Sequence, residues 1–183
     1  MRYDVSAHRA SLARLAEVPA QRQLFFALWC QESLWPHGGP FILDQLSPSD
    51  RAVLEGAREA LWREALGGPP ARCGSDLARV LENVHFDEDD FAEGARCAIA
   101  VVDLLELTAS GREPLKAAVE SGVDTVGRIF AHLQEGLTSY EDSESSPMVL
   151  REVDRQLVMV DSLLNDSPTF TLRRSGREAS LFL

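Results

Sequence analysis

The sequence predicts an all-α fold, a single-domain bundle of about seven helices around a central antiparallel helix hairpin. Apolar residues recur at the helical period in seven segments, and glycine or proline residues separate these segments. The 183 residues are 45% hydrophobic and 26% charged, which is typical of a globular chain. A chain of this length can bury a sizeable core without disulfides or metals.

The first two helices are predicted at about 6–17 and about 19–35. Pro19 suits the first position of a helix, where its missing N–H costs nothing. The second helix is apolar nearly all round, so we expect it to lie at the centre of the fold. We expect Pro36, Gly38, Gly39 and Pro40 to end it and to open a loop.

The third helix has the clearest start in the sequence. Ser47 is suited to cap its free N–H groups, and Pro48 to occupy its first turn. The glycine pair at Gly67 and the prolines that follow should stop it. A short fourth helix is predicted at about 75–83.

The fifth and sixth helices are long, apolar and separated by a tight turn at Gly111 and Pro114. The acidic run that starts at Asp87 should begin the fifth helix, because carboxylates favour a helix N-terminus. The two helices should form the antiparallel hairpin at the heart of the domain. Residues expected to be buried between them are Ile99, Val102, Ile129 and Phe130.

The last part of the chain changes character twice. Residues 136–146 are polar and acidic and predict a linker, after which Pro147 opens a seventh helix. We therefore assign 1–167 to the helical domain and 168–183 to a basic tail that ends in apolar residues.

The charge of the chain limits the classes of partner. The formal net charge is −11 and the isoelectric point is near 4.8. Such a surface repels phosphate backbones and anionic membranes, so we expect neither nucleic acid nor a membrane as a partner. It favours a basic protein partner or cations.

The cysteines and the hydropathy pattern predict a cytoplasmic protein. Cys30, Cys73 and Cys97 are odd in number and widely spaced, which is typical of a reducing compartment rather than of disulfides or zinc. The first ten residues lack the apolar stretch of a signal peptide, so we expect none, and no apolar run reaches the roughly 18 residues of a membrane span.

No catalytic motif or cofactor-binding fingerprint is present in the sequence. The best metal candidate is His85 with the acidic run Asp87–Asp90, because clustered carboxylates beside an imidazole suit a cation. The same acids also complement a helix dipole, and the spacing does not fit a calcium-binding EF-hand loop. We therefore predict no metal and no cofactor.

Two further combinations of reactive side chains have ordinary explanations. Cys30 and His37 could form a nucleophile and base, but no acid orients the histidine, and a core thiol is the simpler interpretation. Glu32 and Glu82 flank apolar stretches without forming a pair, so both are expected to face solvent.

Two kinds of surface could bind a partner. Trp29 should lie in the core, whereas Trp35 and Trp62 could lie partly exposed, as aromatic anchors of interfaces do. The acidic candidates for binding a basic partner are Asp87, Glu88, Asp89, Asp90, Glu93, Glu141, Asp142 and Glu144.

Several segments, in this order, resemble the YjaG-like family of uncharacterised bacterial proteins (domain of unknown function 416). They are Gln21–Leu28 followed by Cys30–Leu34 and Pro36, Ala60–Leu61–Trp62, Glu82–Asn83, Ala95–Leu107 and Ser146–Pro147 to Gln156. The resemblance covers about 5–165. It implies an all-helical fold and a loose link to signalling, and it carries over no activity and no catalytic residues.

These observations together predict a non-catalytic protein-binding domain, in one form an adaptor in bacterial signalling. Small acidic domains also serve as immunity proteins that neutralise a basic toxin, which is the first alternative. A metal-binding protein or enzyme that uses His85 and Asp87–Asp90 is the second.

Overall fold

The computed structural model describes residues 2–86, 93–135 and 143–178, and every regular element in these ranges is helical. The all-α prediction is therefore confirmed. No helix in the same ranges is long and apolar enough to cross a membrane. The elements are α1 (Val5–Leu12), a 3₁₀ segment (Ala13–Glu17), α2 (Ala20–Gln45), α3 (Pro48–Ala65), α4 (Gly74–Leu81), α5 (Glu93–Ala109), α6 (Pro114–Glu135), α7 (Pro147–Asn165) and α8 (Phe170–Glu178).

The helix starts marked by Ser-Pro pairs are confirmed. The Ser47 hydroxyl accepts a hydrogen bond from the backbone N–H of Asp50 at 3.2 Å, and the Ser146 hydroxyl accepts one from Met148 at 3.3 Å. In both cases the proline that follows is the first helical residue. These signals work because the side chain that satisfies the helix end is adjacent to it in sequence.

The predicted end of the second helix is wrong, because α2 continues through Pro36 and Pro40 to Gln45. Each proline removes one backbone hydrogen bond, which usually breaks a helix. Packing against α5 compensates for this loss. A methyl group on Gly38 would lie 2.5 Å from the backbone nitrogen of Ala98, so α5 crosses α2 here in near-direct backbone contact. The extension also buries Ile42 completely.

The centre of the bundle is α2, with the α5–α6 hairpin packed against it. Every residue of the range 23–34 is buried. Gln31 shows the antiparallel course of the hairpin, because its side-chain amide reaches Thr108 near the end of α5 (2.9 Å) and Ser121 near the start of α6 (3.4 Å).

The four predicted hairpin core residues differ in burial. Val102 and Ile129 are buried, as predicted. Ile99 and Phe130 are half-buried, so their predicted full burial is wrong. Phe130 lies at the edge of the hairpin, where its ring packs 5.3 Å from that of Tyr3.

The segment assigned to a tail contains a further helix, α8, which packs against α2. Its sequence is basic rather than apolar, so the pattern of hydrophobic residues did not predict it. Polar contacts in the middle of α8 hold it in place, and they form part of the site described next.

Candidate functional site

A buried carboxylate, Glu32 of α2, lies at the centre of a polar cluster in the interior. It is 1% exposed, so the prediction that it faces solvent is wrong. The indole N–H of Trp62 donates to its Oε1 at 2.7 Å, and Nη2 of Arg58 donates to the same atom at 3.1 Å. The Nη2 atom of Arg173, on α8, lies 4.0 Å away. Buried charge is tolerated here because cationic and N–H partners surround it.

The two arginines that approach Glu32 also stack on tryptophan rings. The Arg58 guanidinium lies 3.4 Å from the ring centroid of Trp35, and that of Arg173 lies 4.7 Å from that of Trp62. A planar guanidinium combines ring stacking with forked hydrogen bonding, which an ammonium group cannot do.

Arg173 binds a second carboxylate with both of its terminal nitrogens. Its Nη1 donates to Oε2 of Glu59 at 3.1 Å, and its Nη2 donates to the other carboxylate oxygen. Fork-to-fork pairing of this kind is the strongest arrangement for an arginine and a carboxylate. The Glu32 cluster, as we name it, therefore joins three helices; its members are Glu32, Trp35, Arg58, Glu59, Trp62 and Arg173.

The spacing of residues on α3 explains why the cluster forms. Glu55 and Glu59 are four residues apart, as are Arg58 and Trp62, so all four side chains lie on neighbouring rows of one helix face. That face is directed toward α2, where Glu32 and Trp35 are also one turn apart.

An open cavity of about 450 Å³ adjoins the cluster between α2 and α3. We call it the α2–α3 cleft. Its lining residues are Glu32, Trp35, Pro36, Glu55, Arg58 and Glu59. Trp35 is half-buried and Glu55 is exposed, so an indole and a carboxylate are both accessible at its entrance.

A second buried cluster of the same design lies about one turn away along α2, at Trp29. Glu152 of α7 accepts two hydrogen bonds from Arg155, at 2.7 and 2.8 Å, and one from Gln156 at 2.8 Å. The Arg155 guanidinium lies 3.8 Å from the Trp29 ring centroid. The Trp29 indole N–H donates to the Ser175 hydroxyl of α8 at 3.0 Å. The C-terminal helix therefore contacts both clusters.

The predicted aromatic anchors occupy different environments. Trp35 lies at the cleft and is half-buried, in keeping with its proposed partial exposure. Trp62 is 1% exposed, so its predicted partial exposure is wrong. Its ring packs edge-on against Phe25 while its N–H is bound to Glu32, and the helix face that appeared open in the sequence is covered by α2 and α8.

Most of the predicted acidic surface lies outside the described residues. This applies to Asp87, Glu88, Asp89, Asp90, Glu141 and Asp142, and to the side chain of Glu93. Glu144 is described and half-buried, and its carbonyl oxygen accepts a hydrogen bond from the backbone of Tyr3 at 2.8 Å.

The geometry disfavours the alternative nucleophile and base, whereas the acidic run of the metal-binding alternative, Asp87–Asp90, lies outside the described residues. Cys30 and His37 lie on the same helix, seven residues and therefore roughly 10 Å apart along its axis. Burial raises the pKa of the Cys30 thiol well above its ordinary value, which disfavours the reactive thiolate. His85 is exposed, and the described residues contain no group of three metal-ligating side chains.

The key residues of the site were missed because they are distant in sequence. Arg58 is 26 residues from Glu32, and Arg173 is 114 residues from Glu59. Two local features could have indicated the site. Arg58 and Trp62 are one helical turn apart on α3, and Glu32 is a charged residue within the otherwise apolar α2.

Comparison of the chain with protein-family models, curated proteins and solved structures gave no match. The resemblance to the YjaG-like family therefore stays a prediction.

Proposed function

We propose that the chain is a non-catalytic protein-binding domain and that the α2–α3 cleft is the place where a basic partner protein binds. The observation that carries the proposal is the cleft itself, about 450 Å³ in volume, with a half-buried Trp35 beside the carboxylates of Glu55 and Glu59. Tryptophans in concave, partly desolvated positions are typical anchors of protein interfaces.

Two of the three carboxylates that line the cleft are already paired within the chain. Nη1 of Arg173 donates to Oε2 of Glu59 at 3.1 Å. Glu32 already accepts hydrogen bonds from Trp62 and Arg58, and its carboxylate holds these side chains in fixed positions. A fixed surface loses little conformational entropy when a partner binds.

Charge supports a basic partner. The chain carries a net charge of −11, and the cleft lining, with three glutamates and one arginine, is also negative. Opposite charge accelerates association and selects the orientation of a partner, most strongly at low salt.

The test is a pull-down with two matched charge-reversal variants, Glu55→Lys at the cleft and Glu106→Lys on α5. Both replace an exposed helical glutamate, so their effects on net charge are equal. We expect the wild-type chain and Glu106→Lys to capture at least one protein from the native cell extract. The amount of that protein captured by Glu55→Lys should be at least about tenfold lower. Equal capture by the two variants, or no capture by any form, would contradict the proposal.

The identity of the captured protein separates the two forms of this function. A basic toxin would favour an immunity protein, and a signalling protein would favour an adaptor.

A further inference from the structure

The helix α8 is a short element, and the contacts of its described side chains are mainly polar. It has nine residues, and a helix of fewer than about 12 residues is marginal by itself in water. Among its described side chains, only Arg173 is buried, and Leu172 is half-buried. Because the described side chains of α8 bury little apolar surface, α8 should open locally at a lower free energy than the central helices do.

The contacts of α8 have the chemistry of a bound ligand. Arg173 forks onto Glu59, approaches Glu32 and stacks on Trp62. Ser175 accepts the indole hydrogen bond of Trp29. These are the groups by which one protein recognises an arginine of another: a carboxylate pair and an aromatic face.

The α8 backbone comes into close contact with α2 at Gly176. A methyl group on Gly176 would lie 2.9 Å from the carbonyl oxygen of Trp29, so the α8 backbone lies directly against α2 at this point. A helix with an arginine followed three residues later by a glycine fits this surface, whereas a side chain at the second position would collide with the Trp29 carbonyl oxygen.

The α2–α3 cleft continues from the place where Arg173 binds. Glu32 and Glu59 belong both to the cleft lining and to the set of carboxylates that Arg173 approaches. A segment that entered the cleft would therefore meet the same carboxylates that α8 now occupies.

We propose that α8 is a built-in competitor, and that an arginine-bearing helical segment of the basic partner displaces it by placing a guanidinium between Glu32, Glu59 and Trp62. This inference rests on the proposed protein-binding function and names the partner's chemistry and the regulation of the same site. Binding of the partner then requires release of α8. The apparent affinity is therefore the intrinsic affinity multiplied by the fraction of chains in which α8 is released.

The test uses full-length chains and a fluorescently labelled peptide with the sequence of residues 167–178 as the probe. The variants are Arg173→Ala, which removes the competing guanidinium, and Arg174→Ala, a matched change of the exposed neighbouring arginine. We expect fluorescence anisotropy to show binding to Arg173→Ala at least about tenfold tighter than to the wild-type chain or to Arg174→Ala. A peptide with alanine at the position of Arg173 should bind none of the three. Equal affinity for all three chains, or no binding to any, would overturn the inference.

A second measurement keeps the inference testable if Arg173→Ala unfolds. In native-state hydrogen exchange of the wild-type chain, amides of α8 should exchange at least about 100-fold faster than those of the buried range 23–34 of α2. Equal protection of the two helices would show that α8 is part of the rigid core and would refute its displacement.

The two proposals can fail separately. Peptide binding without any difference between Glu55→Lys and Glu106→Lys in the pull-down would overturn the proposed function and leave the guanidinium-binding site. A clear difference in the pull-down without peptide binding would overturn the role of α8 alone.

Discussion

The substitution Gly38→Ala tests whether α2 continues through its two prolines and packs closely on α5. An alanine in place of a glycine normally stabilises a helix by about 0.5–1 kcal/mol, because it reduces the entropy of the unfolded chain. At Gly38, however, the added methyl group would lie 2.5 Å from the nitrogen of Ala98 and 2.6 Å from the carbonyl carbon of Cys97. Both are backbone atoms, so no side chain can move away to make room.

The magnitude follows from the distances. Ordinary van der Waals contact begins near 3.4 Å, whereas the added methyl group would lie 2.5 Å from the Ala98 nitrogen. The two helices, α2 and α5, must therefore move apart until this contact lengthens from 2.5 Å to nearly 3.4 Å. Overpacking of this kind costs about 1–3 kcal/mol. Gly56→Ala on α3 is the matched control, because nothing lies within 4 Å of the added methyl group. The difference between the two changes in unfolding free energy, about 1–3 kcal/mol, therefore isolates the contact at the crossing.

Urea unfolding followed by circular dichroism measures both variants under one set of conditions. We expect Gly38→Ala to lower the unfolding midpoint and Gly56→Ala to raise it. Stabilisation of equal size in both variants would show that no close crossing exists at Gly38, and the loop predicted from the sequence would then be the better description.

Three further predictions concern the buried polar groups. Glu32→Ala should lower the unfolding free energy by about 3–5 kcal/mol, because it removes the buried carboxylate to which Arg58 and the Trp62 indole N–H donate, whereas Glu106→Ala should change it by less than about 0.5 kcal/mol in the same urea titration. Burial lowers the pKa of His8 from its ordinary value of 6.5, so the folded chain binds fewer protons than the unfolded chain below that pH. Stability should therefore fall between pH 7 and pH 5.5 more steeply in the wild-type chain than in His8→Gln, and equal slopes would refute this reasoning. Thiol alkylation should modify the half-buried Cys73 first, and early modification of Cys30 would contradict its burial and raised pKa.

The parts of the fold that the sequence predicted are those whose causes are local. Ser47 and Ser146 cap helices that begin one residue later, so the signal and its effect are neighbours in the chain. In the long segments, apolar residues likewise recur at the helical period because one face of each helix is buried.

The errors arise where distant packing outweighs a local preference. Pro36 and Pro40 would end a helix in isolation, but α5 packs against the residues between them and retains the helical conformation. The helix α8 was not predicted for the same reason. Its Arg173 is held by carboxylates on two other helices, which are distant in the sequence.

The candidate site was predictable only in part. Trp35 was identified from its position beside a proline and lies at the cleft. Glu32 and Trp62 are both buried, although the sequence predicted a solvent-facing carboxylate and a partly exposed indole. A buried carboxylate cannot be distinguished from a solvated one until its partners are known.

The central claim, that a basic protein binds at the α2–α3 cleft, is tested most directly by site-specific photo-crosslinking. A photoreactive amino acid is placed at position 55 at the cleft entrance and, in a second chain, at position 106 on α5. We predict a crosslinked protein from position 55 alone, with the attachment mapped by mass spectrometry to an arginine-bearing segment of that protein. Crosslinks from position 106 alone, or attachment to an acidic segment, would contradict the account.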